Sequence, residues 1–525
     1  MTITSINYLI FCVAAILLFI VFPKKYRWIS LLISSGVFYW IAGDHLVYFI
    51  LFTSFTTWFG GRQLDKLRSE QDSRLEEVGK DKAQKKAIKK EYANKRRTAM
   101  LIVLVLNIGL LVVFKLFNYF TEAYAALVSI FAGSGQPLDT LTVVMPLGIS
   151  YYTFSNIGYL LDLYWKRYRG EENFARFLLF NCFFVRIMQG PISRYNRLGQ
   201  ELRKPELHFT WSNFVIGMES ILLGCFKKLV IADRVSIYVG NTMTADGLPG
   251  AIYLLGMIMD GIQIYTDFSG YMDIVSGVAR MFDIELEQNF NHPFMAANVP
   301  EFWRRWHMTL GGWFKDYVYY PISVSKTVKK LNKKTVSWKS KHLKIMVSLI
   351  LPVMTTWILT GLWHGTGIGY VMWGLYYGIL ILFSSTFSDD IQNLLSRLHV
   401  NTECFSYQIF RTIKIFCIFM GGRFLAATYT LHHKGHIIKR ILLHFVGFSF
   451  TDYGLDAMNF LIVFLGVVLL FAITAIEENG ENIFVWFNKQ NRVFCGIVIC
   501  LFCFMILILG IFGSGVDTDF MYQQF

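Results

Sequence analysis

Long apolar runs, separated by shorter segments that hold most of the charge, restrict this chain to a small set of folds. Residues 99–117 (AMLIVLVLNIGLLVVFKLF), 346–362, 458–475 and 494–513 each approach the roughly 20 residues that cross a hydrocarbon core. In lipid every backbone N–H and C=O must be satisfied within the segment or by a closed barrel, and runs of this length do so as helices. The expected fold is all-α and polytopic: about ten or eleven transmembrane helices, with re-entrant or interfacial helices, around a central tunnel. Apolar residues make up 54% of the 525 positions and charged ones 16%. No hydrophilic stretch is long enough to fold alone, so residues 1–525 read as one membrane-embedded domain.

The charge pattern predicts topology. Basic residues collect on the cytoplasmic side of membrane proteins. Three segments are markedly basic: Lys24, Lys25, Tyr26 and Arg27; residues 62–97, with thirteen Lys and Arg against seven acids; and residues 326–344, with eight lysines and no acid. The first apolar stretch, Tyr8–Phe22, has no basic residue before it and no small-residue cleavage site after it, so it reads as a retained span. With residues 24–27 inside, the N-terminus lies outside the cell membrane. Spans at 29–42 and 46–60 then return the chain to the cytoplasm at 62–97. That segment has no Pro and only Gly79 as glycine, which predicts a solvated helical excursion, either a topology anchor or a binding surface.

After the span at 99–117, GSGQPLD marks a turn. The apolar stretch 140–165 leads back to WKRYRGEENFARF inside. From 176 to 322 the runs are interrupted by QGPISR, DFSGYMD and NFNHPF. Such breaks point to broken or re-entrant helices, tolerable at membrane depth where protein or a polar cavity surrounds them. Regular spans resume at 346–362, 366–384, 411–428, 458–475 and 494–513.

A net charge of +14 invites a nucleic-acid reading, but the basic residues lie between spans and form no face of a soluble domain. No nucleic-acid partner is expected. The eight cysteines fall mostly in apolar runs. Cys500 and Cys503 form a CxxC inside VICLFCFMILIL with no second pair, which fits packing better than metal or redox work. No Walker loop, Rossmann fingerprint or HExxH occurs, so neither a nucleotide motor nor a metal site is expected.

Two Trp-His pairs stand out against this background: Trp306-His307 in EFWRRWHMTLGGWFKDYVYYPI and Trp363-His364 in LTGLWHGTG. Ionisable side chains at bilayer depth are costly and usually functional, and histidine is suited to moving protons near neutral pH. If 301–322 is one helix, Trp303 and His307 share a face that Leu310 and Phe314 continue, while Arg304 and Arg305 project elsewhere. Gly311-Gly312 would loosen the backbone and Pro321 would end the segment. The alternative is an interfacial amphipathic helix with belt tryptophans. His364 sits where an apolar run meets GTGIG, and the span before it starts at the lysine-rich loop, so His364 is carried deep into or across the bilayer.

Six segments, PLGISYYTF (146–154), QGPISR (189–194), DFSGYMDI (267–274), FWRRWHMTLGGWFKDYVYYPI (302–322), LWHG (362–365) and FMYQQF (520–525), together resemble the membrane-bound O-acyltransferase superfamily. Within it they are similar to the bacterial branch of alginate O-acetylation and teichoic-acid D-alanyl transfer proteins. The resemblance covers nearly the whole chain. It implies that His364 is the catalytic histidine and His307 the second active-site residue. Chain length and the YQQF-like tail favour the acetylating type; D-alanyl transfer is the alternative. The resemblance also implies an extracytoplasmic esterase-like transferase as partner.

Such a reaction joins a cytoplasmic thioester to hydroxyls outside, so it needs a passage reachable from both faces. No tightly bound cofactor is expected; the donor is acetyl-CoA or an acyl carrier protein thioester. A desolvated His364 stays neutral and can accept the proton of an attacking hydroxyl. His307 would orient the thioester or stabilise the oxyanion through an N–H. Trp303, Trp306, Trp313 and Trp363 can narrow the channel and exclude water. Arg304 and Arg305 are the buried cations expected to meet phosphate or carboxylate, unless they snorkel to the interface. Asp267, Ser269 and Asp273 are expected to brace the passage by hydrogen bonds between spans; membrane lipids surround the whole. Two other classes stay open: a transporter or flippase, whose folds usually repeat the break in two halves, and a structural subunit that anchors a partner.

Overall fold

The computed structural model describes residues 2–132, 144–365, 367–427, 429–446, 449–478 and 480–512; the GSGQPLD turn at 133–139 and the tail at 520–525 lie outside them. Every regular element among the described residues is helical. The protein is an all-α membrane protein. The chain divides into two compact units, Met1–Phe214 with Val278–Glu287, and Val215–Gly277 with Gln288–Phe525.

The first unit holds α1 (Ile6–Val21), α2 (Arg27–Ala42), α3 (Val47–Glu77), α4 (Lys82–Ala132), α5 (Ile149–Tyr164) and α6 (Phe174–Cys182). The basic excursion at 62–97 is helical as expected. It is built by running two spans on into one hairpin: α3 and α4 extend without a break and turn at 78–81, where Gly79 takes φ +61°. At 51 residues α4 is about 76 Å long, far more than a bilayer core requires. A row of buried amides and hydroxyls ties this unit together. Asn181 donates to Ser54 at 2.9 Å and to Asn156 at 2.8 Å, and Thr57 and Asn156 both donate to Asn107. In an apolar surrounding such groups must find one another, so they fix which helices touch.

The second unit takes most of α7 (Trp211–Cys225), a π-helical turn at Phe226–Ala232, α8 (Asp233–Met243) and most of α9 (Gly250–Met281). The short helices α10 (Val299–Arg305), α11 (Met308–Phe314) and α12 (Tyr320–Ser323) come next, then the lysine-rich α13 (Lys326–Thr335). The long α14 (Lys341–His364) and α15 (Ile368–Thr386) form a hairpin whose glycines let the backbones meet; a Cβ on Gly374 would stand 2.5 Å from the Trp357 carbonyl. The remaining helices are α16 (Ser388–Arg397), α17 (Phe405–Ala426), α18 (Leu431–Leu443), α19 (Ala457–Glu478), α20 (Ile483–Asn488) and α21 (Arg492–Leu509). The spans expected at 346–362, 366–384, 411–428, 458–475 and 494–513 correspond to α14, α15, α17, α19 and α21.

Among the described residues five helices are long and apolar enough to cross a membrane: α4 over Lys82–Phe117, α14, α15, α19 and α21. The helices α1, α2 and α5 have 16 residues each, about 24 Å of rise. Two local expectations are corrected. DFSGYMD does not interrupt its helix but lies inside the continuous 32-residue α9, its polar side chains answered from a neighbouring helix. Pro321 does not itself end the 302–322 segment; the helical run that starts at Met308 passes through it, by way of a π-helical turn at Lys315–Tyr319, and stops two residues later at Ser323.

Candidate active site

His307 is not part of a continuous helix. The first helix of the segment, α10, ends at Arg305; Trp306 is extended, and His307 takes the left-handed conformation, φ +46°, before α11 begins. Left-handed geometry is uncommon outside glycine, but histidine adopts it more readily than most residues. The kink has visible support. Phe290 and Trp306 form an isolated antiparallel bridge; Asn291 N–H donates to Arg305 O at 2.9 Å, and Met308 N–H to Asn289 O at 2.9 Å. Trp303 and His307 therefore do not share a helical stripe, because a four-residue spacing aligns side chains only while the helix continues.

Asn289 organises the imidazole. Its Oδ1 accepts the Thr309 backbone N–H at 3.2 Å and the Thr309 hydroxyl at 2.6 Å, and lies 3.3 Å from His307 Nδ1. A backbone N–H can only donate, which fixes that Asn289 atom as the oxygen. His307 then carries its hydrogen on Nδ1, and Nε2 of the neutral ring holds the lone pair. With Nδ1 facing the Asn289 oxygen, the ring turns Nε2 away from Asn289. Replacing Asn289 with Leu removes the oxygen on which three donors converge. A loss of about 2 kcal/mol or more in stability is expected, seen as a lower thermal midpoint in detergent.

His364 is the last residue of α14 and 7% exposed; His307 is 2% exposed. Trp363 lies against both imidazoles, its ring 6.1 Å from that of His307 and 4.8 Å from that of His364. Trp373 on α15 packs edge-on to His364 at 5.2 Å and to Trp303 at 5.4 Å, while Phe268 on α9 stands 4.9 Å from His307. A continuous run of rings, from Trp303 through Trp373, His364, Trp363 and His307 to Phe268, thus joins α10, α15, α14, the kink and α9. Gly365 follows with extended backbone, and the Tyr370 ring leaves no room there for a side chain.

The other residues singled out in the sequence divide. Trp306 packs in the hydrophobic core with Phe290, Phe302 and Phe419. Trp313 lies against Phe314 and Tyr317 beside it. Neither arginine is a buried cation: Arg304 is exposed, and Arg305 is held by Glu301 at 3.0 Å and Glu478 at 2.6 Å. Asp267 and Asp273 do bridge helices, through ion pairs to Lys228 and Lys227, and Ser269 is buried on the same helix. Four residues of the site were missed: Asn289, Thr309, Phe268 and Trp373. Asn289 lies in NFNHPF, which marked a break but not a hydrogen-bonding role. Trp373, nine positions beyond His364 in an apolar span, carried no signal.

Residues 171–430, which contain both histidines, match the family model described as MBOAT, membrane-bound O-acyltransferase family. The chain belongs to this family. The protein is an O-acyltransferase. Among its relatives, a probable alginate O-acetylase of Pseudomonas syringae pv. tomato is 26% identical over 83% of this acyltransferase and 73% of the relative. A peptidoglycan O-acetyltransferase of Helicobacter pylori is 28% identical over 56% of each chain. A teichoic acid D-alanyltransferase of Bacillus subtilis is 29% identical over 45% of this acyltransferase and 58% of the relative.

Proposed function

We propose that this membrane O-acyltransferase moves an acetyl group from a cytoplasmic thioester, carried on coenzyme A or an acyl carrier protein, toward a hydroxyl of a cell-surface polysaccharide. The last step is made directly or by an extracytoplasmic esterase-like partner. His364 acts as general base, taking the proton as the hydroxyl oxygen attacks the thioester carbonyl; the thiolate leaves as thiol. His307 accepts a hydrogen bond at Nε2 and orients a substrate N–H or O–H. Trp363, in ring contact with both imidazoles, holds them to one substrate and shields the thioester from water, which would otherwise hydrolyse it. This shared tryptophan is the observation that carries the reading. Arg304, exposed beside the kink, is the arginine left to meet a donor phosphate or carboxylate, since Arg305 is occupied. In this topology the N-terminus is extracytoplasmic and the lysine-rich α13 faces the donor side.

The acetyl assignment draws on the alginate and peptidoglycan relatives; the teichoic acid relative supports D-alanine as the second reading. Acyl groups released by mild alkali from envelope polymers, with and without this protein, distinguish the two. Ester-linked acetate that disappears with the protein is expected. Loss of D-alanine instead would transfer the assignment to the second reading, and no change in either would remove both.

A further inference from the structure

The buried charges on α9 and the π-helical turn before α8 have no part in the chemistry just described, yet they are expensive to keep. Lys228 Nζ lies 2.8 Å from Asp267 Oδ1 and 2.8 Å from Asp233 Oδ1, with all three side chains 2% exposed. Next to it Lys227 Nζ lies 2.6 Å from Asp273 Oδ2. Buried ion pairs are poor sources of stability, because desolvation offsets most of the attraction; their best-attested use is to set register. Register is what is at stake between these helices. The α7 segment and its π turn run antiparallel to α9 with backbones in contact. Gly217 meets Gly277, the Ser220 hydroxyl donates to Asp273 O at 2.8 Å, and a Cβ on Gly224 would stand 2.5 Å from Gly270 O. Glycines seven apart on both partners make a smooth seam that resists sliding poorly. The two lysines, brought together by the wider π turn, supply the missing lock.

What the lock holds in place is the wall of the site. Phe268, the residue after Asp267, presents its ring to His307 at 4.9 Å. One turn along, the Met272 sulfur accepts from Asn289 Nδ2 at 3.0 Å, the same Asn289 whose oxygen receives His307. A slip of α9 by one residue, about 1.5 Å of translation with about 100° of rotation, would withdraw both supports. We infer that Lys228, with Lys227, is a positioning residue for His307, acting through the register of α9. The inference rests on the functional reading above for its kinetic consequence, but not for its structural one.

The test compares Lys228→Met with a triple variant, Lys228→Met, Asp233→Asn and Asp267→Asn, in which no charge of the triad is left buried alone. In the purified full-length protein, both should lower kcat about tenfold or more with KM for the thioester donor unchanged. In a His307→Asn background neither should cause further loss, because the route through His307 is already removed. A triple variant with wild-type kcat, or losses that multiply with His307→Asn, would overturn the inference. A second readout needs no turnover. Carbethoxylation of His307 by diethyl pyrocarbonate, followed by peptide mass spectrometry, should be slow in the wild type and several-fold faster in the triple variant, with His364 as internal reference. Unchanged His307 labelling would sink the positioning role even if acyl transfer is observed. If the wild type transfers no acyl group, yet His307 of the triple variant labels faster than that of the wild type, the lock is retained and the enzymatic reading discarded.

Discussion

Membranes carrying the His364→Ala protein are expected to contain it at near wild-type level and to leave envelope polymers essentially without ester-linked acetate. Removing a general base costs about 10² to 10⁴ in rate, about 3 to 5.5 kcal/mol of barrier. The fold should tolerate the change. His364 is the last residue of α14, where alanine is a good helix former, and α14 is held to α15 by close backbone approaches at Gly361 and Gly374. What is lost besides the proposed base is ring packing against Trp363 and Trp373. His364→Gln, which fills more of that space without supplying a comparable base, should be as inactive as His364→Ala; if it restores transfer, the imidazole served packing and not proton transfer. The same variants separate the competing classes. A flippase or an anchoring subunit has no need of a proton acceptor at position 364, so acylation that survives both substitutions while the protein remains in the membrane would end the enzymatic assignment.

The membrane architecture was legible because length and hydropathy are nearly all that lipid asks of a span. The runs at 346–362 and 458–475 became α14 and α19 with a few residues added at each end, since helices continue into the interface where the sequence turns polar. Motifs in the loosened region were harder to read. DFSGYMD looks like a break because its two carboxylates are costly in an apolar helix, and nothing local reveals that Lys227 and Lys228, some forty positions earlier, answer them. The kink at His307 was hidden for a related reason. Periodicity favours a helix through FWRRWHMTL, and the bridge from Phe290 that stops it is a contact between segments. The repeated Trp-His motif drew attention to both histidines, but its two tryptophans take different places. Trp363 touches both imidazoles, whereas the kink turns Trp306 into the core with Phe419.

Substitution of His307 should separate a backbone contribution from an imidazole contribution. Its left-handed φ of +46° costs a typical side chain about 1 to 2 kcal/mol and is harder still for a β-branched one, while asparagine tolerates it. His307→Asn should therefore keep the kink, the Phe290–Trp306 bridge and the thermal midpoint close to wild type, and lose only what the ring does. If Nε2 orients a substrate hydrogen, transfer should fall about 10- to 100-fold, the equivalent of about 1.4 to 2.7 kcal/mol. That is a smaller loss than at His364, since orientation is impaired and the base remains. His307→Val should lose as much activity and, in addition, several degrees of thermal stability, because the strained backbone must be forced or the kink abandoned. The comparison is read as acetyl transfer per molecule of folded protein and as the unfolding midpoint in detergent. Equal activity in His307→Asn and wild type would remove the ring from the reaction and leave it a backbone role alone. Equal stability in the Val and Asn variants would mean that the left-handed turn is not what the residue was needed for.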